Sequence, residues 1–378
     1  MDADIWRRSD AVLERAREAL DHDQNAVLVT LVDVEGSAYR RPGAKRLLEP
    51  DGESVGTVVP GCLDARLARL AESVLDDGTP TTATFDLRED DTWGLGVGCD
   101  GVVELLVEPL DGTLKPALDA LAKGRTTAVA TVLDGETDDI AVGDRAVFEG
   151  SGSIVEADWP SGLGERVSEL VSAADERNAG TVTVGGSADT VNDAADTIEL
   201  FVEWFEPSPR LIVFGTGPDV DPLVEAARFG GFSPIVVGFR GEAGGDRFTD
   251  ASAVVSTRPS DIREAVDFDA DTAAVVATHN AVDDRLTVEQ LLETPVSYIG
   301  VVGSRERYER LLDTSEIELS PADRERLYGP AGLDLGGGTP EQIALSIISE
   351  ALAVCNDRRP DHLRERAKPI HERSAPES

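Results

Sequence analysis

The sequence predicts an α/β protein in which an N-terminal α+β domain precedes a C-terminal Rossmann-like, doubly wound parallel sheet. Three observations predict it. Strands and helices alternate cleanly after Pro207-Ser208-Pro209, and a strand at 211–214 runs through Gly215-Thr216-Gly217 into a helix. Before residue 112, apolar strands are mixed with two amphipathic helices.

The first helix is expected over 5–20, where Trp6, Leu13, Ala16 and Leu20 fall on one face. Residues 26–32 are continuously apolar and read as a strand, running into a loop rich in glycine and proline from Glu35 to Gly43. Strands follow at 45–49 and 55–59, joined by the turn pair Asp51-Gly52. A helix is expected over 63–76, with Leu63, Leu67, Leu70 and Val74 inward, and a buried strand over 102–107. From 113 to 205 the pattern is short strands, turns and one helix, without a catalytic constellation. The C-terminal part then reads as strand 211–214, helix 219–229, strands 234–238, 274–278 and 296–302, helix 304–313 and a last helix 340–355. The expected divisions are 1–112, 113–206, 207–356 and a polar tail at 357–378.

The charge balance is extreme: 73 acidic residues against 35 basic ones give a net charge of -38, and lysine occurs only at 45, 115, 123 and 368. Such a surface repels itself at low salt and is soluble when salt screens it, so the composition reads as halophilic. No basic stripe exists to neutralise phosphates, which excludes nucleic acid as a partner. No apolar run is long enough for a membrane span. The acidic start, Met1 to Trp6, lacks the basic-then-apolar layout of a secretion signal, so a cytoplasmic location is expected.

Candidate binding residues cluster at strand ends. Gly215 and Gly217 let the backbone approach a phosphate at the following helix N-terminus. The third position of the dinucleotide fingerprint is Val220, and the second strand ends in Gly238 instead of a ribose-binding acid. Arg240 nearby suits a phosphate. A bare tight turn is the alternative. Gly303-Ser304-Arg305 offers a second anion site, with Ser304 as N-cap, or a well-capped surface helix. His279 leaves a strand at the same edge. Gly337, Gly338 and Thr339 precede a capping box completed by Gln342.

Of three cysteines, Cys355 lies on an apolar helical stripe and reads as core. Cys62, in Gly61-Cys62-Leu63, stands at a helix start where the dipole favours thiolate. Cys99 stands in the glycine-rich stretch Trp93–Gly101. Soft thiolates at both places suit molybdenum or sulfur, and small core residues are the alternative.

Taken together, several segments resemble the XdhC/CoxI family of xanthine dehydrogenase accessory proteins. They are Gly36-Ser37 through Arg41-Pro42-Gly43-Ala44, Gly61-Cys62-Leu63-Asp64, Trp93 through Cys99, Phe214 through Gly217, Tyr298 through Arg305, and Gly329 through Ala344. The resemblance implies binding of the molybdenum cofactor (molybdopterin, in plain or dinucleotide form). It also implies protection of that cofactor, help with its sulfuration and its insertion into a xanthine dehydrogenase-type molybdenum hydroxylase client. A cysteine desulfurase partner and a homo-oligomer are expected with it. In this reading Cys62 and Cys99 contact the metal or its sulfur in one shared cleft, and the chain is an accessory protein instead of an enzyme. The competing reading is an NAD(P)-dependent oxidoreductase whose cysteines are structural.

Overall fold

The computed structural model describes residues 9–59, 61–88, 101–135, 140–157, 159–174, 177–185, 197–239, 247–314 and 319–365. The chain divides into two compact units between Pro207 and Ser208.

The N-terminal unit contains two antiparallel sheets. The first has β1 (Val27–Gly36), β2 (Lys45–Leu48), β3 (Ser54–Gly56), β4 (Thr81–Asp86) and β5 (Gly101–Pro109), in the spatial order β3-β2-β1-β5-β4. Helix Ser9–Asp21 precedes β1, and helix Asp64–Asp77 joins β3 to β4. The second has β6 (Thr127–Asp134), β7 (Arg145–Glu149), β8 (Ile154–Ala157), β9 (Gly180–Gly185) and β10 (Thr197–Phe205), in the order β8-β7-β6-β10-β9. Helix Lys115–Ala122 precedes β6, and helix Ser161–Ala173 joins β8 to β9. Element for element, the second half repeats the first.

The repetition reaches individual hydrogen bonds, donated by turn glycines one hundred positions apart (143 − 43). Gly43 N donates to Leu31 O at 2.8 Å, as Gly143 N donates to Val132 O at 3.0 Å. Both glycines turn the chain with left-handed backbone, at φ 90° and 91°. Gly52 N donates to Glu49 O at 3.0 Å, as Gly152 N donates to Glu149 O at 2.8 Å. The connecting helices bury matching positions: Leu63, Leu67 and Ala71 in the first half, Leu163, Val167 and Val171 in the second.

Between the sheets the relation is reciprocal, as in an isologous interface. Lys45 on β2 donates to Glu203 on β10 at 2.7 Å, and Arg145 on β7 pairs with Glu108 on β5. All four side chains are at most 10% exposed. Leu28 and Leu47 share a buried cluster with Val129, Val147 and Phe205, and Val32 and Leu106 share another with Leu133 and Phe201.

Two details depart from the sequence expectation. Among the described residues the middle segment holds two helices where one is expected, because Lys115–Ala122 has only 8 residues and is too short for helical periodicity to register. The strand expected over 55–59 stops at Gly56, whose φ of 88° turns the chain; a Cβ there would stand 2.5 Å from a methyl of Val12.

The C-terminal unit is a parallel sheet of β11 (Arg210–Phe214), β12 (Ser233–Gly238), β13 (Ala253–Ser256), β14 (Thr272–Val276), β15 (Tyr298–Val301) and β16 (Leu327–Tyr328). Its order is β13-β12-β11-β14-β15-β16, so strand order reverses between β11 and β14. Alternate side chains of β11 face opposite layers. Leu211 and Val213 pack with helices Val220–Gly230 and Pro340–Cys355, while Ile212 and Phe214 pack with helices Ala281–Leu292 and Arg305–Thr314. This is the doubly wound arrangement. The strands expected at 274–278 and 296–302 occupy 272–276 and 298–301, each leaving its last apolar residues in the loop that follows.

Candidate functional site

Each unit brings predicted residues together at one sheet edge. In the N-terminal unit, β1 and β3 both pair antiparallel with β2 and therefore run the same way. The chain leaving β3 heads for the end of the sheet where Gly36 faces Gly101. Val58, Val59 and Leu63 are buried in one cluster with Val34 and Val103, which spans the face of the sheet, and Ala38 packs against it. Helix Asp64–Asp77 leads to Thr81, which pairs with Val107 at the other end of the sheet, so the 3-10 turn Gly61–Leu63 before it lies toward the Gly101 end. Arg46 donates from Nη1 to Asp64 Oδ1 at 2.5 Å and ties the helix start to β2. The backbone of Cys62 thus lies at the end where β5 begins. The Cys62 side chain, and Cys99 two positions before Gly101, lie outside the described residues.

The loop Ser37–Gly43 closes over the same end. A Cβ on Gly101 would stand 2.5 Å from Ser37 O and 2.6 Å from Glu35 O, so only glycine fits beneath the loop. Arg41 is exposed and Arg40 half-buried, and neither makes an ion pair among the described residues. The acids on the adjoining strand ends are engaged elsewhere: Arg88 pairs with Asp86 at 2.9 Å and Glu35 at 3.3 Å. Composition and turn signals mark this segment only as a loop. The adjacent arginines were the signal available for a binding role.

In the C-terminal unit, Gly215, Gly217, His279, Gly303, Ser304 and Arg305 all follow the carboxyl ends of β11, β14 and β15, around the reversal point. Gly215 has φ 142°, and a Cβ there would collide with Ala277 O. His279 is a non-glycine residue at φ 57°, a conformation that carries strain. Its Nε2 lies 2.9 and 3.0 Å from the Asp219 carboxylate oxygens. Its ring would be 3.1 Å from a Cβ on Gly217, so the imidazole covers the glycine turn. Arg247 holds the turn from outside, donating to Thr216 O at 2.7 Å, Gly217 O at 2.8 Å and Asp221 Oδ2 at 2.6 Å.

Ser304 is the helix cap that the sequence predicts, its Oγ accepting from Arg307 N at 3.2 Å. Asp284, 1% exposed, accepts from Thr278 Oγ1 and from Arg307 Nη2, each at 2.5 Å, and so joins the second and third loops. Arg305 points from the first helical turn as an exposed side chain. Gly337, Gly338 and Thr339 form a cap built from their own helix: Thr339 Oγ1 accepts from Gln342 N at 3.3 Å, and Gln342 Oε1 accepts from Gly338 N at 3.0 Å. Their glycines answer to local needs in part. Gly336 has φ 71°, and a Cβ on Gly337 would press on the Gln342 side chain at 2.6 Å. Arg240 lies outside the described residues. Cys355 packs against the core as a half-buried residue, and burial pushes its thiol up.

Residues 19–86 match the model of the XdhC and CoxI family, and residues 211–351 match that of the XdhC Rossmann domain. The chain is 30% identical to a probable xanthine dehydrogenase subunit of Bacillus subtilis, over 88% of this chain and 94% of that protein. It is 23% identical to the molybdenum cofactor insertion chaperone PaoD of Escherichia coli, over 91% of this chain and 87% of that one. A crystal structure described as a xanthine dehydrogenase from Bacillus halodurans superposes with a TM-score of 0.75 at 29% identity, covering 93% of this chain and 97% of that one.

Proposed function

Because the chain belongs to the XdhC and CoxI family, we propose that it handles the molybdenum cofactor for a molybdenum hydroxylase. In this reading it binds and protects the cofactor, assists its sulfuration and inserts it into a xanthine dehydrogenase-type client. A cysteine desulfurase would supply the sulfur. The observation that carries the reading is the single sheet end at which the Cys62 turn, the start of β5 just after Cys99 and the loop Ser37–Gly43 meet. A thiol in that setting supplies the soft donor that molybdenum and its sulfur favour, and the guanidinium groups of Arg40 and Arg41 suit the phosphate of a pterin. The donor set therefore fits the group. When bound, the cofactor would supply metal-centred redox chemistry to the client, while this chain's part is to hold, shield and release it.

The oxidoreductase reading has less support. β12 ends in Gly238 without a carboxylate for a ribose, and His279 with Asp219 lies over the glycine turn that a pyrophosphate would approach. We expect any dinucleotide to bind weakly and NAD no better than NADP. Tight, NAD-selective binding in calorimetry would restore that alternative.

The deciding experiment expresses the chain with its client and measures molybdenum and pterin in the purified protein. Cys62→Ser should lose the bound cofactor and client activation while melting like the wild type. Full cofactor retention and client activation by that variant would overturn the reading.

A further inference from the structure

We propose that Arg40 and Arg41 form the anion-holding arm of the site at the Cys62 turn, gripping a phosphate or tetraoxo-anion group of the bound ligand. The proposal rests on the reading above in placing a ligand at that sheet end, and it adds what holds the ligand's charged part.

The unit contains its own control. The frame that carries the loop Ser37–Gly43 is built a second time around Gly143, with the same returning hydrogen bond and the same backbone turn. There Ile140 and Ala141 stand where the first copy has Arg40 and Arg41, as the matching bonds from Ala44 N to Arg41 O and from Asp144 N to Ala141 O show. The counterpart of Cys62, judged by the matched Leu63 and Leu163, is Gly162. A frame that forms without the arginines or the thiol does not require them for folding. Both features occur in the same half, and the structure puts their segments at the same end of one sheet.

Electrostatics sharpens the point. In a chain of net charge -38 an anion meets a repulsive background, so binding one needs local cations not already neutralised. Glu35 and Asp86, the acids at the neighbouring strand ends, are taken up by Arg88, which leaves Arg40 and Arg41 without a carboxylate among the described residues. Two adjacent planar forks suit bidentate recognition of phosphate-like oxygens.

The test uses the full chain at constant molar ionic strength, with inorganic phosphate and molybdate as separate probes in equilibrium dialysis. The double variant R40A/R41A should bind the preferred probe roughly ten- to a hundredfold more weakly, the size of one or two charge-assisted hydrogen bonds. R40K/R41K should lose less, and R125A, removing an exposed arginine from the other half, should bind as the wild type. A loss confined to phosphate assigns the arm to a phosphate monoester, and a loss confined to molybdate assigns it to an oxometal group. Unchanged binding of both probes by R40A/R41A, or no binding of either by the wild type, overturns the proposal. Cofactor content separates the two readings. If molybdenum and pterin never co-purify but anion binding still depends on the arginines, the cofactor reading falls and the arm stands. If R40A/R41A retains both cofactor and anion binding while Cys62→Ser loses the cofactor, the arm falls and the cofactor reading stands.

Discussion

The two halves of the N-terminal unit share strand order, connecting helices, turn glycines and the buried positions of those helices, yet they differ at the loops over one sheet end. The first half has Arg40, Arg41 and Cys62; the second has Ile140, Ala141 and Gly162 at the corresponding places. What the halves share is what folding needs. What only one half possesses has to be explained by something else, and this comparison distinguishes scaffold from chemistry without recourse to other chains.

The largest effect should come from breaking the reciprocal ion pairs. Lys45→Met leaves the Glu203 carboxylate buried without its partner, and a loss of about 3–5 kcal/mol is expected. Arg145→Met should cost a similar amount if the two halves are mechanically equivalent. Denaturant unfolding in molar salt measures both, and a loss below about 1 kcal/mol for either would break the equivalence. Replacing Lys45 and Glu203 together by apolar residues of similar size should restore most of the stability.

A smaller effect separates frame from loop. Gly143→Ala meets both an unfavourable φ of 91° and the ring of Pro80, and should destabilise by roughly 1–3 kcal/mol. R40A/R41A should stay within about 0.5 kcal/mol of the wild type, as exposed substitutions away from structural features do. A thermal melt of the arginine variant displaced as far as that of Gly143→Ala would make the arginines part of the frame.

The smallest effect concerns charge where the halves meet. Asp33 faces Glu104 across β1 and β5, and Asp134 faces Glu199 across β6 and β10, again at related positions. Burial, and then the charges of Glu199, Asp33 and Asp134, push the Glu104 carboxyl up. A carboxyl raised in the folded state favours folding below its unfolded titration range, and that contribution disappears as pH rises through the folded value. Glu104→Gln should therefore stabilise the protein at pH 7, by less than about 1 kcal/mol for a partly exposed group. The gain should shrink in molar salt and vanish in acid. Destabilisation at pH 7 would mean that the carboxylate makes a favourable contact outweighing this repulsion.

Legibility differed between the units for physical reasons. In the C-terminal unit the buried parallel strands are continuous apolar runs, so strand–helix alternation was visible along with the caps at Ser304 and Thr339. Helix Ala281–Leu292 escaped notice because its buried face includes Asp284 and Thr287, which break the apolar stripe. The middle third was opaque read alone. Its helix Ser161–Ala173 carries Gly162 and Gly164, its strands are short, and no chemistry marks it. Its meaning was present as spacing: Gly43 and Gly143, Glu49 and Glu149, Gly52 and Gly152, Pro60 and Pro160 recur one hundred positions apart (143 − 43). Comparing the chain with itself would have revealed it. At the candidate site the glycine loops and Cys62 could be found by residue type, whereas Arg40 and Arg41 gained significance only against their uncharged counterparts, Ile140 and Ala141.

Joining the halves in one chain also changes the thermodynamics of their pairing. Two free subunits with so strong an acidic excess would repel each other, and their association would weaken on dilution. Here the short connection from Pro109 to Lys115 holds each half at a high effective concentration of the other, independent of how dilute the protein becomes. The reciprocal pairs need only select the right mutual arrangement, since the tether already supplies the encounter. One half is then free to specialise its loops without any requirement that an identical copy tolerate the same change.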